Sequence, residues 1–117
     1  MQTFLEHVNN QYPRIKDIRT KLRMNWVHPI RKPILDAFIV GSEAKGVARP
    51  DSDLDVAIII PPIRGKTALQ FTEQYHSNFT EDNYTHFFNW NGRKLDIQFF
   101  YPDDPELQTY SKIQLKP

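Results

Sequence analysis

The sequence predicts an α/β (α+β) protein: a small mixed β-sheet of about four strands flanked by helices, with further helices at the N-terminus. Short runs of β-branched and aromatic residues recur between positions 36 and 101, and segments with helical apolar spacing precede and separate them. A length of 117 residues suits one domain, 1–117. We divide it into an N-terminal helical extension (1–33), a core (35–101) and a C-terminal tail (102–117).

The N-terminal third is predicted to be helical. Pro13 suits the first turn of a helix, and apolar side chains recur at helical spacing around it: Phe4, Leu5, Val8, Ile15, Ile18, Leu22 and Trp26. Residues 1–33 hold seven Lys or Arg against two acidic residues, a net charge of 7 − 2 = +5. Such a basic amphipathic segment either presents a solvated outer face over a packed inner one or contacts RNA or an acidic partner.

The first strand is predicted at residues 38–40, where Gly41 and Ser42 end a short apolar run. Residues 43–46 can then form a helical turn. Free backbone N–H groups at a helix start favour an anion such as a phosphate, which glycine lets approach closely and to which a serine hydroxyl can donate. The alternative interpretation is an ordinary turn, which is the more frequent role of a Gly-Ser pair.

The second strand, residues 54–60, begins beside two carboxylates. Alternation along a strand directs Asp53 and Asp55 to the same side. Like charges this close raise each other's pKa unless a cation lies between them, and oxygen ligands favour magnesium or manganese. The alternative is a solvated strand start, although the apolar continuation of the strand makes two unpaired carboxylates costly there.

Pro61 and Pro62 end this strand, and residues 67–75 are predicted to form a crossover helix over the sheet. Two further strands are predicted at residues 84–90 and 95–101, joined by the hairpin signal Asn91-Gly92. In the tail, residues 103–105 (Asp-Asp-Pro) predict a helix start, with Leu107 and Tyr110 as packing residues.

The last predicted strand contains a third carboxylate within an apolar run. Alternation places Asp96 on one face with Gln98 and Phe100. Burial of an unpartnered carboxylate is costly, so a partner is expected. One alternative is a structural role in which Asp96 hydrogen-bonds to Arg93 or Lys94.

The spacing Gly41-Ser42, ten residues, Asp53-Leu54-Asp55 resembles the signature of the DNA polymerase β-like nucleotidyltransferase superfamily. More narrowly it is similar to the minimal nucleotidyltransferases (MNT), many of which are antitoxins paired with HEPN ribonuclease toxins. The resemblance implies a nucleotidyltransferase (polymerase β palm-like) fold with residues 35–101 as the catalytic core. It also implies that Asp53, Asp55 and, by its place in the strand order, Asp96 are catalytic and hold two Mg²⁺ ions, with Mn²⁺ as a substitute.

The resemblance further implies that Gly41, Ser42 and Lys45 bind the phosphates of ATP or another nucleoside triphosphate, although a lysine at such a position is often only solvated. The expected activity is of the EC 2.7.7 kind, transfer of AMP or another nucleoside monophosphate to a hydroxyl of a partner protein such as a HEPN-type toxin. The alternatives are transfer to an RNA or tRNA end, reached through the basic N-terminal helices, and a non-catalytic antitoxin on the same fold.

Composition excludes several other classes. Hydrophobic residues at 39% and charged residues at 25% are typical of a globular protein rather than a disordered one. The absence of cysteine excludes disulfides and thiolate metal sites. No apolar run approaches the ~18 to 20 residues of a membrane span, and no secretory signal begins the sequence. We therefore expect a cytoplasmic protein without membrane contact.

Overall fold

A computed structural model describes residues 12–23, 33–77 and 79–117. Its elements in chain order are α1 (Ile15–Arg23), β1 (Asp36–Val40), α2 (Gly41–Ala44), β2 (Leu54–Ile59), α3 (Ala68–Ser77), α4 (Glu81–Phe87), β3 (Asn89–Trp90), β4 (Arg93–Phe100), α5 (Pro105–Thr109) and β5 (Ile113–Gln114). This mixed α/β architecture confirms the predicted fold class. Within the described part of the chain, every helix is too short or too polar to cross a bilayer.

The strands form one five-stranded sheet in the order β3-β4-β2-β1-β5. Strands β2 and β4 are parallel, whereas the other neighbours are antiparallel. A parallel pair needs a crossover connection, and α3 and α4 supply it. The predicted crossover helix is thus confirmed, at Ala68–Ser77.

The two faces of the sheet are packed unequally. One face carries the main core, where side chains from β1, β2 and β4 pack with α1, α3 and α4: Ala37, Ile39, Leu54, Val56, Ile58, Leu95, Ile97, Phe99, Ile18, Leu22, Tyr75 and Tyr84. The other face carries a smaller cluster of Val40, Ala57, Ile59, Phe100 and Leu107. Because side chains alternate along β2 and β4, the carboxylates Asp55 and Asp96 lie on the face with the smaller cluster.

The prediction of a strand at residues 84–90 is wrong for most of its length. Residues Glu81–Phe87 form α4, whose start is capped by the Thr80 hydroxyl accepting from Asn83 N. Tyr84 and Phe88 stand one helical turn apart, and both are buried in the main core. Of the predicted segment, Asn89 and Trp90 alone are extended, as β3. This short strand pairs with β4 through the predicted hairpin at Asn91-Gly92, where both residues have the positive φ that this turn requires.

The tail contains one predicted and one unpredicted element. Helix α5 begins where expected, and the Asp104 carboxylate accepts from Glu106 N at 3.0 Å. After it, β5 adds a fifth strand beside β1, which the sequence did not predict.

At the other end, α1 confirms the predicted helix at Ile15, Ile18 and Leu22, whereas the predictions for Phe4, Leu5, Val8 and Trp26 fall outside the described residues.

Candidate active site

Two of the three predicted carboxylates lie side by side. In the parallel register of β2 and β4, Asp55 is the direct partner of Asp96. Both side chains are half-buried on the same face, so their carboxyl groups are neighbours. Asp53 lies immediately before β2 and is exposed. The structure therefore brings Asp55 and Asp96 together and leaves Asp53 at the solvent side of the pair.

The two carboxylates of this pair disfavour each other's charge. Burial raises the pKa of Asp55 to about 6, with further contributions from the charge of Asp96, the hydrogen bond to it and the charge of Asp53. A carboxylate pair of this kind is relieved by a proton or by a cation. At neutral pH, above the pKa of Asp55, a bound cation would offset the charge of the pair.

Position 41 must be glycine because the Asp55 carboxylate lies against it. It opens α2 with φ of +69°, and a Cβ placed on it would overlap Asp55 Oδ2 and lie 3.0 Å from Asp55 Cγ. Ser42 follows and is half-buried. Lys45 lies at the end of this single turn, where its backbone N donates to Gly41 O at 3.1 Å, and its side chain is exposed. Backbone at Gly41 thus approaches the carboxylate pair more closely than any side chain would permit.

An ion pair that the sequence did not reveal fixes the loop leading to Asp53. Arg93 Nη1 lies 3.2 Å from Glu43 Oε1, and its Nε donates to the carbonyl of Ser52 at 2.8 Å. Tyr12 donates its hydroxyl to the same Glu43 carboxylate at 3.1 Å. Arg93, one of the alternative partners of Asp96, is thus directed to Glu43. Because Glu43 and Arg93 are far apart in sequence, no local sequence pattern indicates that they form an ion pair.

His76 on α3 is the second residue that sequence reasoning missed. Its Nε2 lies 2.8 Å from the Ile97 carbonyl oxygen and 3.6 Å from Asp96 Oδ1. Since a carbonyl only accepts, Nε2 carries the proton and faces the carboxylate. The ring stacks on Tyr84 with centroids 4.9 Å apart, and the Tyr84 hydroxyl accepts from Ile97 N at 2.8 Å. His76 and Tyr84 therefore hold the edge of β4 beside Asp96.

The residues present fit a magnesium ion only in part. Across 12–23, 33–77 and 79–117, no group of three or more His, Cys, Asp or Glu side chains is arranged to hold a metal. Magnesium in nucleotide sites is usually bound by one or two carboxylates together with substrate phosphates. Asp55 and Asp96 supply such a pair of hard oxygen ligands, which the phosphates of a nucleotide would complete.

Comparison with known proteins identifies the fold family. Searches of curated proteins and of solved structures found no match. The family model described as "Nucleotidyltransferase domain" matches residues 15–115, from the start of α1 to just beyond β5. This match supports the polymerase β-like superfamily, whose domains generally use a nucleoside triphosphate and a divalent metal to transfer a nucleoside monophosphate. The chain therefore belongs to the nucleotidyltransferase domain family.

Proposed function

We propose that the chain transfers a nucleoside monophosphate, with AMP from ATP as the first choice, to a hydroxyl of a partner protein. The observation that carries the proposal is the Asp55–Asp96 pair, held in register on adjacent strands with Gly41 against it. A protein that only bound a partner would have no physical need for two neighbouring carboxylates on a half-buried face.

Each site residue has a proposed role. Asp55 and Asp96 hold Mg²⁺ together with phosphate oxygens, and Asp53 serves as a further ligand when a nucleotide is bound. Bound divalent ions neutralise charge that develops on the triphosphate. Gly41 allows the phosphates to approach the backbone, the Ser42 hydroxyl donates to them, and Lys45 adds positive charge.

The proposed reaction is an in-line displacement at the α-phosphorus. The acceptor hydroxyl oxygen forms a bond to this phosphorus, the bond to the bridging oxygen breaks, and pyrophosphate leaves with the electron pair. Asp96 takes the hydroxyl proton as general base. His76, with Nε2 at 3.6 Å from Asp96 Oδ1, orients the carboxylate and acts as a positioning residue.

The proposed biological role is that of an antitoxin in a toxin–antitoxin pair. It rests on the likeness of the Gly-Ser to Asp-Leu-Asp spacing to the minimal nucleotidyltransferases, many of which modify or neutralise HEPN-type toxins. The acceptor in that role is a hydroxyl of the partner toxin.

Transfer to an RNA end is a second candidate, favoured by one observation. Helix α1 buries Ile18 and Leu22 and exposes Lys16 and Arg19, and Arg14 is exposed directly before the helix. Exposed basic side chains on one face are what contact with an RNA backbone would use.

The test uses α-labelled ATP, with the other triphosphates in parallel, magnesium and a lysate of the source cells. Wild type is compared with Asp53→Ala and with Asp51→Ala, which removes an exposed carboxylate from the same loop. Label on a protein band that disappears only in Asp53→Ala is the expected result. Label on RNA would select the second candidate. Absence of label with every triphosphate would reject transfer and leave a non-catalytic antitoxin.

A further inference from the structure

An open groove of about 850 Å³ begins at Asp96 and follows the edge of β4 to the start of α5. Its lining includes Gln98 and Phe100 of β4, Tyr101 and residues of α3 on the opposite side. Leu69 on α3 is 63% exposed at this groove. The groove therefore offers both an apolar surface and direct access to one of the two paired carboxylates.

Most of the charged side chains that line the groove are negative. Five carboxylates line it: Glu73, Asp96, Asp103, Asp104 and Glu106. The lining also contains Lys66. Its ammonium group donates to Gln74 Oε1 and lies 4.0 Å from the centroid of the Phe71 ring. A cleft lined by one sign of charge raises the local concentration of the opposite sign. This groove therefore attracts cations and repels phosphates.

The groove and the proposed phosphate site lie on opposite sides of the carboxylate pair. Gly41 follows β1, which neighbours β2 on one side, whereas the groove follows β4, which neighbours β2 on the other. In-line displacement requires the acceptor and the leaving group to stand on opposite sides of the reacting phosphorus. An acceptor in the groove would approach from the side that this geometry requires.

We propose that the groove binds a basic, partly apolar segment of a polypeptide and presents its hydroxyl to Asp96. The inference rests on the proposed function and names the acceptor class of that site: a peptide whose tyrosine, serine or threonine is flanked by Lys or Arg. An RNA backbone would place phosphates against Glu73, Asp103 and Glu106, which disfavours it.

The test measures binding to the full chain by fluorescence anisotropy at about 50 mM salt, where exposed charges are weakly screened. Three labelled heptapeptides share a central tyrosine and differ in their flanks, which are Lys/Arg, Gly/Ser or Glu/Asp, and a single-stranded RNA 12-mer is the fourth probe. We expect the basic peptide to bind about tenfold more tightly than the neutral one, with an affinity that falls as salt rises.

Charge reversal then locates the binding site. Glu73→Lys combined with Asp103→Lys changes two exposed groove residues, and Asp51→Lys combined with Asp82→Lys changes two exposed carboxylates outside the groove. The groove variant should lose about tenfold in affinity for the basic peptide and gain affinity for the acidic one. The control variant should change little. Equal losses in both variants, tighter binding of the RNA, or no binding of any peptide would overturn the proposal.

The outcomes also separate this inference from the proposed function. Binding of Mg²⁺–ATP, measured on the same variants by calorimetry, should be unchanged by the groove substitutions. Peptide binding without transfer of label in the lysate would overturn the proposed function and leave the groove assignment standing. Transfer of label to protein without groove-dependent peptide binding would overturn the groove assignment alone.

Discussion

Two ends of one sheet face carry opposite kinds of side chain on the same pair of strands. At one end, Asp55 and Asp96 are register partners; four residues further along, Ile59 and Phe100 are partners and pack with Leu107. The apolar end stabilises the fold through burial. The carboxylate end destabilises it, because burial and like charge raise the pKa of Asp55 to about 6. The difference indicates that the apolar end holds the register that makes the carboxylates meet.

The largest expected effect is a loss of nucleotide transfer at the carboxylate end, whereas a substitution at the apolar end should instead lower stability. Asp55→Asn should lower nucleotide transfer by about a thousandfold, because charge stabilisation through a metal is worth several kcal/mol. It should leave the unfolding temperature equal or higher, since it removes a disfavoured charge. Ile59→Ala should instead cost about 2–5 kcal/mol of stability. Thermal denaturation and transfer assays on both variants test this. A lower unfolding temperature for Asp55→Asn would contradict the assignment of opposite roles to the two ends.

The next effect concerns the glycine against the carboxylate. Gly41→Ala should lower transfer by about a hundredfold, because the added methyl group displaces Asp55, and should also destabilise by about 1–2 kcal/mol through its positive φ. Gly46→Ala is the matched control, with φ of +76° and no atom within 4 Å of a Cβ placed there. It should show only the backbone cost. Equal loss of transfer in both variants would show that strain, rather than contact with Asp55, is responsible.

A smaller effect follows from the titration of Asp55. Its pKa is about 6 in the folded protein and 3.8 in the reference state. Between these values the folded protein holds a proton that the unfolded chain releases, so this group's contribution to stability falls as pH rises through about 6. The unfolding temperature of Asp55→Asn relative to wild type should therefore increase from pH 4 to about 7. A difference that stays constant across this range would contradict the assignment.

The smallest effect is expected at His76, the proposed positioning residue. His76→Ala should lower kcat by about tenfold with KM for ATP nearly unchanged, since His76 contacts Asp96 and the edge of β4 rather than the phosphates. His76→Gln, which retains a donor, should recover part of the loss. Steady-state kinetics distinguish this role from a structural one, in which both variants would lose stability and leave kcat per folded molecule unchanged.

The elements built on alternation could be predicted from the sequence. Strands β1, β2 and β4 have strongly patterned apolar residues, and Asn91-Gly92 specifies its hairpin locally. For α4 the sequence predicts a strand because the aromatic residues of this segment have high strand propensity. The Thr80 cap and the four-residue spacing of Tyr84 and Phe88 were the available helical signals. Strand β5 has two residues, too few for any pattern.

The carboxylates of the candidate site could be predicted from the sequence, Asp53 and Asp55 from a local pattern and Asp96 from the strand order that the resemblance implies. Asp53 and Asp55 are two positions apart, so alternation alone relates them. The contacts of Arg93 with Glu43 and of His76 with Asp96 join residues 50 and 20 positions apart. Such contacts depend on the strand order and the crossover, which no short-range pattern encodes. The structure therefore adds Glu43, Arg93 and His76, which contact the site and its loop, to the carboxylates that the sequence already predicts.

Calorimetric titration of Mg²⁺–ATP tests whether the Asp55–Asp96 pair binds the nucleotide and its metal. The titration is made into wild type, Asp55→Asn, Asp96→Asn and the loop control Asp51→Asn at about pH 7.5, above the pKa of Asp55. The carboxylate pair should be required, so wild type and Asp51→Asn bind with similar affinity while the other two lose measurable binding. Unchanged magnesium-dependent binding in Asp55→Asn and Asp96→Asn would show that the paired carboxylates are not the nucleotide–metal site.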